Sequence, residues 1–273
     1  IRKILAAGEE ADKKKLCIVA GTQRRHDASY VETIKRIHDG EIGRVFSAQV
    51  YWNGGPLAYI ERQEGMSDEE WMIRDWFQWR WLSGDHVVEQ HVHNVDIANW
   101  VLKAHPIKAS AMGGRHRRKQ GDQYDFFYAD LVYPGEIHVH SECRQIPGLP
   151  TNISERVIGE KGWSNCKNMF SKDGKVEKVE AKGKNPYVQE HADLIAAIRS
   201  GKHINEAKNV AESTMSNIMI RQAAYTGKEV LWDELIKSDL ELKKPDYKLT
   251  PENILAHVPI PGSDAIPTKK AKG

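Results

Sequence analysis

Over the first fifteen positions the apolar residues Ile1, Ile4 and Leu5 recur at helical spacing with charges opposite, and LCIVAG (16–21) then supplies a short continuous apolar run of the kind buried in a parallel sheet. TQRRHDASY follows as a polar loop. Val31, Ile34 and Ile37 return to helical spacing, and that helix stops at Gly40. VFSAQVYWN, β-branched and aromatic in partial alternation, predicts a strand. Residues 53–83 show no regular period but are dense in glycine, tryptophan and charge, with four tryptophans in the eleven residues WMIRDWFQWRW. GDHVVEQHVHNVDIANWVL then predicts one amphipathic helix over 84–102, ended by Ala104, His105 and Pro106. From 107 to 181, IKASAMGGRHRR, QYDFFYADLVY, EIHVHSECRQ, ERVIGEKGWSNC and KVEKVEAK are separated by Gly- or Pro-bearing turns and predict an extended, mostly antiparallel sheet. Two helices follow, HADLIAAIRSG and AKNVAESTMSNIMIRQAAYTG, each ended by glycine. The proline-bearing end, closing on KKAKG, reads as a surface arm or tail.

Composition narrows the partners. Lys+Arg 40 against Asp+Glu 38 nearly cancel and the basic residues are scattered, which points away from nucleic acid and membrane surfaces and toward a small, weakly charged ligand. The three cysteines, Cys17, Cys143 and Cys166, lie far apart with no CxxC pair, the pattern of buried free thiols rather than of a disulfide scaffold or zinc knuckle. No apolar run approaches the roughly 20 residues of a membrane helix. IRKILAAGEEADKKK has no Met, no cleavable apolar segment and no cap before its first turn, so the chain reads as starting inside a helix, with a preceding part expected and the compartment, cytoplasmic or periplasmic, not legible.

The candidate chemistry sits in the 84–102 helix. Positions three, four and seven apart share a face, so His86, Glu89, His93 and Asp96 are expected on one polar stripe, with His91 pointing nearly the other way. Three readings stay open here: core packing with satisfied histidines, a metal held by His86, Glu89 and His93, or proton transfer by His93 with Glu89 one turn before it to orient the ring. The spacing is not that of HExxH, and no metal is assigned.

The order GTQRRH, a helix ending GEIG, a strand, SGDHVVEQHVHNVDIANWVL, a long sheet, then NPYVQEHADLIAAIRSGK and AAYTGKEV resembles the Gfo/Idh/MocA family of NAD(P)-dependent sugar oxidoreductases, from residue 1 to about 235. Glu89, His93 and Asp96 match that family's D-x-x-x-H-x-x-D spacing, with Glu in place of the first Asp. The family's Gly-rich dinucleotide loop and Glu-Lys-Pro motif are not in these residues, so the resemblance implies that a Rossmann part, on the order of 100 to 150 residues, belongs before Ile1.

The resemblance implies an α+β fold, a large open mostly antiparallel sheet with helices on one face, preceded by the last α/β unit of a Rossmann domain. Residues 1–27 would be that remnant, 28–240 the substrate-binding and oligomerisation domain, and 241–273 the arm. The implied activity is oxidation of a secondary hydroxyl of a sugar, glycoside or cyclitol with NAD or NADP, His93 carrying the proton with help from Glu89. Gln23 and Arg24 would touch the cofactor. The substrate wall would draw on Arg74, Asp75, Trp76, Trp79 and Arg80, with His86, Asp96, Tyr124 (and its neighbour Asp125), Arg144, Tyr187 and His191 as further candidates. Each of these is equally readable as packing or a solvated loop. Two other outcomes are carried: elimination or glycoside cleavage through a transient keto sugar, and a non-catalytic sugar-binding or assembly module. The open sheet face is expected to pair subunits into a homodimer or tetramer.

Overall fold

A computed structural model describes residues 1–244, 246, 248–250 and 258. Helix α1 (Arg2–Lys14) forms where the spacing predicts it and ends at Lys15 in the left-handed conformation. The strand expected at 16–21 does not form: Ile18 makes a single parallel bridge to Asn205, and no described strand lies on its other side. A 3-10 turn, Gln23–His26, leads into α2 (Ala28–His38), whose first turn is closed by Asp27 accepting from the Ser29 N–H. β1 (Val45–Gly54) follows. The stretch without a legible period contains α3 (Asp68–Arg74), capped by Ser67, a 3-10 turn at Trp76–Gln78, and α4 (Arg80–Ser83).

The single helix expected at 84–102 is two, α5 (His86–Glu89) and α6 (Val92–Leu102), with Gln90 and His91 between them. The strands β2 (Lys108–Gly114), β3 (Phe126–Tyr133), β4 (Ile137–Gln145), β5 (Asn152–Gly159), β6 (Gly162–Ser164), β7 (Met169–Lys172) and β8 (Lys175–Lys178) then succeed one another. The basic tail RHRR of the first predicted strand lies beyond the end of β2, and β7 was not expected. α7 (Pro186–Ser200) begins earlier than its apolar period suggests, because Asn185 caps the Tyr187 N–H and Pro186 takes the first turn, where its missing N–H costs nothing. α8 (Ala207–Thr226), the two-residue β9 (Val230–Leu231) and α9 (Trp232–Leu235) complete the described fold.

The nine strands form one sheet in the order β8-β7-β6-β5-β1-β4-β3-β2-β9, antiparallel except for the central β1–β4 pair. Alternation sorts its two faces. Val50, Phe127, Leu131, Val139 and Cys143 point into a core closed by Val95 and Ile97 of α6 and Met219 and Ile220 of α8. The opposite phase, including Met112, Tyr128 and His138, is exposed, so the helices lie on one face as expected. A second cluster packs Trp71, Met72 and Trp79 against Leu249. Leu249 thus docks the start of the expected arm, most of whose remaining residues, 251–257 and 259–273, lie outside the described ones.

Candidate active site

The break between α5 and α6 decides which histidine faces what. Asp85 holds a positive φ of 89° just before α5, and His86 then enters the core, its ring 5.2 Å from that of Phe127 and its Nε2 3.6 Å from Cys143 Sγ. His91 is fully buried too, 2.7 Å from the Ser141 hydroxyl on the same strand, β4. Both therefore face the sheet. The stripe expected to join His86 to His93 does not exist, because the helix restarts at Val92 and turns His93 toward β1, its ring 5.9 Å from Trp52.

Arg24 also approaches Trp52, its guanidinium 5.8 Å from the indole centre and 5.7 Å from the Tyr30 ring. Arg24 is ion-paired with Glu155, a nearly inaccessible carboxylate in the middle of β5. The Tyr30 hydroxyl donates to the same carboxylate at 3.0 Å, and the Asn94 amide, next to His93, donates to it as well. Gln23 donates to the Tyr187 hydroxyl at 3.1 Å. A cleft of about 380 Å³ bordered by Gln23, Arg24, Tyr30, Ser154 and Lys167 opens beside this cluster; His93 does not line it.

Burial, helped by the Arg24 charge, pushes His93 down to about 4, so the ring is neutral at pH 7. Among the described residues its Nδ1 is buried without a hydrogen-bond partner, as is Glu89 Oε2. No hydrogen bond joins the two side chains, so Glu89 does not orient the ring as expected; its carboxyl is raised by burial alone. Glu155 is raised by burial against the opposing pull of Arg24, and burial, with the Glu155 charge beside it, lifts the Tyr30 phenol far above its ordinary range.

The other candidates scatter. Asp96 accepts two bonds from Arg25, at 2.8 and 2.9 Å, and a third from the Ser213 hydroxyl at 2.7 Å, a buried clamp between the Gln23–His26 turn, α6 and α8. Trp79 is fully buried and meets Trp71 edge-on at 5.8 Å, so it backs the wall rather than facing a ligand; Trp76, partly exposed, stacks on Phe77 at 3.7 Å. Asp75 is buried and accepts from the Ile60 N–H and Gln120 amide. Arg74 makes an exposed ion pair with Glu70.

Arg80, paired with Asp122, lies over the Tyr225 ring, against which the buried Tyr124 stacks at 4.0 Å. With Asp85, which accepts from the Tyr225 hydroxyl at 2.6 Å, and His86, these residues form an internal network. Asp125 accepts backbone N–H groups of residues 116–118, and Arg144, near the end of β4, donates to the Pro150 carbonyl in the loop that follows. His191, largely exposed, donates Nδ1 to the Tyr187 carbonyl at 2.8 Å.

The structure thus brings Gln23, Arg24, Tyr187 and His93 to one end of the sheet and adds Tyr30, Trp52, Asn94 and Glu155, none of which stood out in the sequence. A signal for Glu155 was present: in NISERVIG it occupies the inward phase shared with Val157 and Gly159, where a carboxylate needs partners. Among the described residues no group of three or more His, Cys, Asp or Glu side chains is placed to hold a metal ion, and no helix is long and apolar enough to cross a membrane.

Residues 30–164 match the family model of the GFO/IDH/MocA C-terminal domain. The chain belongs to the Gfo/Idh/MocA family. The aldose-aldose oxidoreductase of Caulobacter crescentus, solved with glycerol, superposes with a TM-score of 0.63 at 19% identity, over 81% of this chain and 65% of its own. Scyllo-inositol dehydrogenase from Lactobacillus casei, solved with NAD(H) and scyllo-inositol, gives 0.62 at 14% identity over 84% and 69%. UDP-N-acetylglucosamine 3-dehydrogenase from Acidithiobacillus ferrooxidans gives 0.61 at 13% identity over 82% and 66%. At these identities the likeness is one of fold, and this Gfo/Idh/MocA chain spans about two thirds of each relative's length. No curated protein matches it.

Proposed function

We propose that this Gfo/Idh/MocA chain provides the substrate side of a nicotinamide-dependent oxidoreductase that acts on a secondary hydroxyl of a sugar, glycoside or cyclitol, with His93 as the proton carrier. The observation that carries the reading is the state of His93: a neutral, largely buried imidazole with an unpartnered Nδ1, at the meeting of α6, β1 and the Gln23–His26 turn. A neutral imidazole within reach of a hydroxyl accepts its proton, and burial keeps water from competing for it.

The residues present fit the nicotinamide end of NAD or NADP. Among the described residues Thr22 Oγ1 and Gln23 Oε1 are buried and unpartnered, polar atoms at the start of the turn that suit a carboxamide, with Arg24 beside them. When bound, the nicotinamide supplies the hydride acceptor or donor. Gln23 and Arg24 would hold its end, Trp52 offers an apolar face for a sugar ring, and His93 takes the hydroxyl proton as the carbinol carbon loses its hydride. Because burial disfavours the imidazolium, His93 passes the proton on rather than storing it. The exposed apolar row on the open sheet face, with Met112 at 66% and Tyr128 at 47% exposure, suits pairing with a second copy of the chain.

The test is a screen of the full-length protein against inositols, aldoses and glycosides with NAD or NADP, following reduced nicotinamide by absorbance. Turnover confined to one polyol class is expected. Absence of turnover with every polyol and both cofactors, by a protein that binds neither, would contradict the reading.

A further inference from the structure

We propose that Glu155 is a positioning residue for the proton-handling site: by anchoring Arg24 and Asn94 to one carboxylate, it sets the placement of the Gln23–His26 turn against the helix that bears His93. This rests on the role proposed for His93. Three elements converge on Glu155, the turn through Arg24, α2 through Tyr30 and α6 through Asn94, while β5 holds the carboxylate from behind, opposite Val50 of β1. Arg24 and His93 share Trp52 as a common wall, so the anchor on Arg24 also fixes where a positive charge lies relative to the imidazole. A carboxylate buried in a strand with no catalytic task of its own is costly unless its bonds are used; here every bond crosses to a different element of the site.

The charged and titratable groups facing His93 are Arg24 from the turn and Asp96 from its own helix; Glu155 stands behind Arg24, and Glu89 lies one turn before. Glu155→Gln removes the charge that retains Arg24 and keeps the shape. In the full chain, with neither cofactor nor polyol present, the His93 ring titration read by NMR, assigned by comparison with His93→Gln, is expected to rise by about one pH unit as the guanidinium leaves Trp52. Glu155→Asp, which keeps the charge, is expected to restore most of the original titration. An unmoved His93 titration in a folded Glu155→Gln protein overturns the proposal.

Should the Glu155 variants fail to fold, Arg24→Gln reads the same coupling: a rise supports it and an unmoved titration overturns it. In turnover, Glu155→Gln is expected to lower kcat more than it raises KM. A wild-type protein without polyol oxidation but with the shifted titration would remove the functional reading while leaving the Glu155–Arg24–His93 coupling established.

Discussion

Asp96 separates a ligand-facing carboxylate from a structural one. Its side chain is 1% exposed and that of Arg25 12%, and the pair is bidentate with a further bond from Ser213. Asp96→Ala leaves a buried guanidinium without its counter-charge and a hydroxyl without its acceptor; breaking such a pair costs about 3–5 kcal/mol. Since three segments are joined there, the loss is expected as a lower urea midpoint with little change in slope. Replacing both partners with apolar residues, Asp96→Leu with Arg25→Met, should recover a large part of it, because no buried charge is then left alone. The assay is equilibrium urea unfolding followed by tryptophan fluorescence. A loss below about 1 kcal/mol in Asp96→Ala, or no recovery in the double variant, would refute the assignment of Asp96 to the clamp.

The two candidate wall tryptophans should part company. Trp79→Ala is expected to cost about 3–5 kcal/mol as a cavity next to Trp71, while Trp76→Ala, on the surface, should cost well under half of that; equal losses would contradict their placement. Gly121 has φ +79°, and a Cβ there would lie 2.0 Å from the Gln78 carbonyl oxygen, so Gly121→Ala should lower stability by at least about 2 kcal/mol in the same assay.

His93, held at about 4 when folded and near 6.5 when unfolded, binds fewer protons in the native state between those values. Its contribution to stability is therefore present above about 6.5 and lost as pH falls toward 4. His93→Gln should flatten the pH dependence of stability in that window by up to about 1.4 kcal/mol per pH unit, and an identical slope would contradict the buried neutral ring. Cys143 and Cys166 are buried with raised thiols, so under native conditions a thiol reagent should modify Cys17 first and the other two only on unfolding.

Much of this architecture is legible in one sequence because period and punctuation act locally. The alternation in FFYADLVY and EIHVHSECRQ marks β3 and β4, and glycine ends α7 and α8. What escaped depends on contacts distant in sequence. The α5–α6 break arises because His86 and His91 both find partners on β4, about fifty residues away, which an uninterrupted helical period cannot announce. The strand expected at 16–21 has the right composition but, among the described residues, only one bridging neighbour. At the site, His93, Gln23, Arg24 and Tyr187 gather at one end of the sheet. His86, Tyr124 and Arg80 proved to belong to an internal network, since a polar residue in a motif-rich stretch looks the same whether its partner is a ligand or a buried tyrosine. Glu155 was missed for the converse reason: its importance lies in who bonds to it.

The proton-carrier role proposed for His93 is tested most directly by kcat for polyol oxidation by the full-length protein beside its His93→Ala variant, with folding checked by circular dichroism and cofactor binding by fluorescence quenching. A loss on the order of 100- to 10,000-fold in kcat is expected, with fold and cofactor affinity retained. A folded His93→Ala protein that keeps most of its turnover would contradict it.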